Sequence, residues 1–145
     1  MSYGNNHPYA PTVPQAGNPR ESEIWALTEA GRRMAMAARE NEFAAMRDAL
    51  RLNWRMWTFF QTELIIKAEK EEIEEVGLNL LALSQFVDKH TAQVLSGPTP
   101  EKMQVLIDIN RNIAAGLTEA LQREKAQAVG QGQTQDAPAS VSVTG

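Results

Sequence analysis

The feature that most limits the possible folds is the run Asn53-Trp54-Arg55-Met56-Trp57-Thr58-Phe59-Phe60, set inside a longer rhythm of apolar positions. The run holds two of the three tryptophans and two of the four phenylalanines in 145 residues. Phe43, Met46, Leu50, Asn53, Trp57, Phe60 and Leu64 alternate steps of three and four, which places them on one stripe of an α-helix. Trp54 and Phe59 flank the stripe and widen it beyond a narrow seam. Large aromatic side chains bury the most area per residue, so this helix is the expected centre on which the other segments condense.

The segments on either side follow from local signals. Residues 1–17 carry Pro8, Pro11, Pro14, Gly4 and Gly17 without apolar period, which predicts a disordered tail. Asn18-Pro19 reads as an N-cap and first helical residue, with Glu21 and Glu23 near the positive end of the dipole. The helix that follows, to about residue 39, presents Ile24, Leu27, Gly31, Met34 and Ala38 on one face with Trp25 beside it. Asn41 is the expected N-cap of the central helix, making the first link very short and its two helices antiparallel.

The charged run Lys67 to Glu75 contains no Gly or Pro to force a stop. Leu64 and Ile73, nine residues apart, fall on opposite faces of a straight helix and favour a kink or turn near residues 67–71. Ile66 and Ile73, seven apart, would instead carry one helix through. A third stripe of Ile73, Val76, Leu80, Leu83, Val87, His90 and Val94 ends at Gly97-Pro98. Thr99-Pro100 then opens a fourth helix with Met103, Leu106, Asn110, Ile113, Leu117 and Leu121 in the same rhythm. From residue 127 the chain is Gln, Gly, Ser and Thr without period, a second disordered tail. The expected fold class is all-α: a compact bundle of about four amphipathic helices over residues 18–126, between tails 1–17 and 127–145.

Composition narrows the chemistry. The net charge of -4 gives no general attraction to nucleic acid or anionic membrane. The absence of cysteine excludes disulfides, thiol catalysis and cysteine-held metals. No run of 18 apolar residues and no signal-peptide layout occurs, so the expected location is the cytoplasm. Neither HExxH, GxSxG, a Walker loop nor an EF-hand loop is present. His90 reads as a packed, hydrogen-bonded imidazole, and Glu71, Glu72, Glu74 and Glu75 as a solvated face. The expectation is a protein with no enzymatic activity, no cofactor and no metal.

Arg47, Arg51 and Arg55 are spaced by four and share a side of the central helix with Trp54. They serve either as ion-pair partners for the acidic stretch 69–75 or, beside Trp54, as a protein-binding rim. Asn53 and Asn110 interrupt two apolar stripes, which favours buried, fully bonded amides that fix register over a ligand role.

Four stretches in order resemble the FlaF family, flagellar biosynthesis regulators of alphaproteobacteria. Pro19-Arg20-Glu21-Ser22-Glu23 looks like the family's PRExE opening, and Asn53 to Trp57 resembles its N-x-R-x-W motif. Phe86-Val87-Asp88-Lys89-His90-Thr91, through Val94-Leu95-Ser96-Gly97, is similar to its histidine segment ending in VLxG. Leu106-Ile107-Asp108-Ile109-Asn110, with Ile113 and Gly116-Leu117, resembles its LIxIN…I…GL close. The charged run 67–75 stands where the family carries a loop with Pro, Asn and Gly. The resemblance implies a cytoplasmic, non-enzymatic factor that binds flagellin as a secretion chaperone and opposes FlbT, a regulator that restrains flagellin translation. A helical segment of flagellin would then lie in an apolar groove, with Arg47, Arg51, Trp54 and Arg55 on its surface. Two other classes remain open: an RNA-binding regulator using the arginine row on flagellin messenger RNA, and a structural adaptor for another flagellar regulator.

Overall fold

The structure, a computed structural model, describes the backbone of residues 18–144 and the side chains of residues 18–130. The expected tail 1–17 lies outside the described residues. Four helices follow in order: α1 Pro19–Glu40, α2 Phe43–Glu69, α3 Glu75–Leu95 and α4 Pro100–Thr144. Among the described residues there is no strand, and the all-α bundle holds.

Each boundary has a local cause. Asn18 is the N-cap of α1, its side-chain oxygen accepting from the backbone N–H groups of Arg20 and Glu21. Asn41, expected to open α2, instead closes α1: it sits in the left-handed region at φ 53, its N–H returning to the carbonyls of Ala37 and Ala38. Asparagine tolerates that conformation better than other side chains, which decides the role. Glu42 takes the N-cap place of α2 without a side-chain bond. The break between α2 and α3 lies where the nine-residue spacing puts it. Glu71 (φ 59) and Glu72 return their N–H groups to Ala68 and Lys67, a Schellman closure with glutamate in the position glycine usually fills. At the last link Gly97 N–H bonds the Val94 carbonyl, and Thr99 Oγ1 accepts from Lys102 N–H to cap α4.

The helices run up and down around a ring. α1 packs along α4 and α2, and α2 along α3, whereas α3 meets α4 only sparingly. The dry core is gathered at one end, where Met34 and Ala37 of α1, Met46 and Leu50 of α2, Val94 of α3 and Met103 and Leu106 of α4 are buried together. Each large side chain withdrawn from water there stabilises the fold by about 1.5–3 kcal/mol. α3 buries Gly77, Ser84, Val87, Thr91 and Val94, so the true stripe passes one residue beyond Val76, Leu83 and His90. Val76 is 58% exposed for that reason. Phe43, expected on the α2 stripe, is half exposed at the first helical residue, its ring 4.7 Å from the Arg47 guanidinium.

The helical backbone of α4 continues through 127–144, where the loss of period predicts a tail. Every side chain from 122 to 130 is exposed, so this length adds nothing to the core.

Candidate functional site

Midway along the bundle the buried side chains turn polar. Trp57 Nε1–H donates to Asn110 Oδ1 at 3.0 Å. The Asn110 amide nitrogen donates to Asn53 Oδ1 at 2.8 Å and to the Leu27 carbonyl at 3.2 Å. The indole N–H can only donate, which orients Asn110, and Asn110 in turn orients Asn53. Gly31 admits the approach: a Cβ there would lie 3.5 Å from Asn110 Cβ. Asn53, Trp57 and Asn110, noted in the sequence as separate features, are thus one cluster joining α1, α2 and α4. Among the described residues Asn53 Nδ2 has no hydrogen-bond partner.

Beyond this layer the bundle opens. A cleft of about 880 Å³ lies between the N-terminal half of α1, the C-terminal half of α2, the start of α3 and the middle of α4. Its apolar lining includes Leu27, Trp57, Phe60, Leu64, Ile73, Leu80, Ile113 and Leu117. Phe60 meets Trp57 edge-on, with ring centroids 6.1 Å apart. The rim alternates charge, with Glu23, Glu63, Glu72, Glu74 and Glu124 against Arg20, Lys67 and Arg123. Burial pushes the Glu23 carboxyl above its ordinary value of 4.5, while Arg20 pulls it down, Glu63 raises it further and Lys67 opposes. Two glycines flatten the walls. Gly77 is required internally, because a Cβ would come 2.7 Å from Ile73 Cγ1. Gly116 is not: its Cβ would meet nothing within 4 Å.

Arg47, Arg51, Trp54 and Arg55 do not line this cleft. Arg47 donates to the Leu95 carbonyl at 3.2 Å, satisfying the open C-terminal end of α3. Trp54 Nε1–H donates to Asp88 Oδ1 at 2.9 Å, and Gln61 continues that α2–α3 seam to Ser84 and Asp88. Arg51 and Arg55 are exposed. No ion pair joins the arginine row to residues 69–75 among the described residues. Even Arg55 and Glu69 are separated by about 21 Å of helix axis, which forbids it. His90 is half-buried, stacked on Phe86 with centroids 5.4 Å apart and with Nε2 3.2 Å from the Lys102 carbonyl.

The apolar groove expected beside the arginine row lies instead toward the C-terminal end of α2. Its signals were the glycine pair Gly77 and Gly116 inside helical stripes and the aromatic excess at Phe60, none of which names a partner helix left absent. Among the described residues no helix is long and apolar enough to cross a membrane.

Comparison with known proteins agrees with these motifs. The family model described as flagellar protein FlaF matches residues 5–117. No curated protein and no solved structure matches the chain. The matched region contains the asparagine–tryptophan cluster, the α2–α3 seam and nearly all of the apolar cleft lining. A match over so much of its length means that the chain belongs to the FlaF family, and its role lies in the flagellar system.

Proposed function

We propose that the cleft holds an amphipathic helical segment of flagellin, and that the protein is a flagellin-binding secretion chaperone and regulator coupling flagellin synthesis to flagellum assembly. It acts by binding in the cytoplasm rather than by catalysis, and by occupying flagellin it works against the restraint that FlbT places on synthesis. The observation that carries this reading is Gly116. A glycine inside a helix costs about 1 kcal/mol relative to alanine. No neighbour in the fold requires it, yet it lies in the wall of an apolar cleft where a guest backbone could approach closely. α3 meets α4 only sparingly, so a guest helix in the cleft would complete the packing.

This moves the guest surface from the arginine row to the other end of α2. With Arg47 engaged at Leu95, two exposed arginines of that row remain, too few to favour the RNA reading.

Gly116→Leu tests the assignment, because it adds bulk to the cleft wall at a position where a Cβ meets nothing within 4 Å. The expected result is an unchanged circular dichroism spectrum and a loss of at least tenfold in calorimetric affinity for purified flagellin, about 1.4 kcal/mol. Undiminished affinity in the folded variant would remove the cleft. Arg51→Glu with Arg55→Glu separates the surfaces: a loss there alone returns the site to the arginine row.

A further inference from the structure

The cleft has a second feature that its apolar lining does not explain. One lip is formed by Asn18, Pro19 and Arg20, the first described residues of the chain. Residues 1–17 are therefore joined to the body at the mouth of the cleft. Their sequence is unusual for a segment placed there. Pro8, Pro11 and Pro14 recur every third residue, with Tyr9 and Val13 between them. Three residues is the period of a polyproline II helix. Segments of that kind dock on grooves lined by aromatic side chains, and their stiffness lowers the entropy lost on binding. The cleft offers the half-buried Phe60, backed edge-on by the buried Trp57, with Leu80 and Leu117 in the same lining.

Charge and reach agree. Residues 1–17 contain no Asp, Glu, Lys or Arg, so they bring no side-chain charge of those types that burial would leave unpaired. At about 3.1 Å per residue, Pro8 stands up to roughly 31 Å from Asn18. The cleft extends along α4 from Asn112 to Gln127. That is about 22 Å of helix axis, so residues 8–14 can span it without strain.

We propose that residues 8–14 occupy the cleft when no guest is present, so that the chain carries a tethered competitor for its own binding site. A segment tethered this closely has an effective concentration of order millimolar, which makes even weak intrinsic affinity sufficient. As a control on guest binding this rests on the flagellin reading above; the occupancy itself does not.

The absence of cysteine makes the test direct. Val13→Cys in the full chain takes one nitroxide spin label, and amide signals report which residues lie near it. The expected result is broadening at Phe60, Leu80, Ile113 and Leu117, removed by adding Gly116→Leu. Broadening confined to the residues next to Asn18 would overturn the proposal. A labelled chain mixed with an isotope-enriched, unlabelled chain should broaden nothing in the latter; broadening there makes a second copy the occupant and also overturns it. Excess flagellin should relieve the broadening, and if it binds without doing so the two do not compete and the proposal fails. If flagellin does not bind at all, the chaperone reading fails while the spin label still decides occupancy. With the segment docked nine-tenths of the time, Tyr9→Ser with Val13→Ser in the full chain tightens flagellin affinity about tenfold.

Discussion

The Asn110 amide makes three hydrogen bonds, to the Trp57 indole, the Asn53 carbonyl oxygen and the Leu27 backbone, and so fixes α4 against α1 and α2. Its loss is costlier than that of its partner. Asn110→Leu strands the Trp57 N–H and the Asn53 oxygen in the interior, at about 1–3 kcal/mol for each unpaired group. Asn53→Leu strands one N–H of Asn110 and also removes an amide nitrogen that has no hydrogen-bond partner among the described residues. Urea unfolding should therefore place Asn110→Leu about 1–2 kcal/mol below Asn53→Leu, with similar denaturant slopes. Equal costs would mean that the cluster is not organised around Asn110. Both asparagines were legible in the sequence because each breaks an apolar stripe. Their meeting was not, since it depends on how far one helix slides along another. Ser84 and Thr91 are not legible for a simpler reason: hydroxyls do not register in an apolar period, although α3 turns both inward.

Helix ends divide in the same way between strong and weak local signals. Asn18-Pro19 and Gly97-Pro98-Thr99-Pro100 carry caps and proline constraints, and α1 and α4 begin where these predict. The end of α2 lacked such a residue and could be inferred only from the phase of Leu64 against Ile73. The chain closes that helix with Glu71 in the left-handed region, which costs about 1–2 kcal/mol for a residue with a Cβ. Glu71→Gly keeps the same closure and removes that penalty, so it should raise the melting temperature and stabilise the fold by about 1 kcal/mol. A lower melting temperature would show that the Glu71 side chain holds the turn by some other contact. The same reasoning explains the reversal at Asn41. A two-residue link needs one residue with positive φ, and that demand outranks its use as an N-cap.

At the scale of the whole molecule the stripes gave four helices, each with an inward face, but could not say which pairs stay apart. A cleft is missing packing between α3 and α4, and the amphipathic pattern of each helix looks the same whether its partner is a neighbour or a guest. The two helices are joined at the closed end by Gly97-Pro98-Thr99-Pro100, where Pro98 is buried and both prolines hold φ near -65°. They separate toward the opposite tip. Pairs of spin labels should therefore give a narrow distance distribution between Lys89 and Gln104, near the joint, and a broader one between Asn79 and Glu119, toward the tip. Equal widths at both places would mean a uniformly rigid body. Two arms pinned at one end behave as tongs: a small rotation at the joint becomes a large change of gap at the jaws. The buried Asn110 layer stands between joint and jaws and ties α4 to α2, so a change of gap at the jaws leaves the dry end of the bundle in its shape.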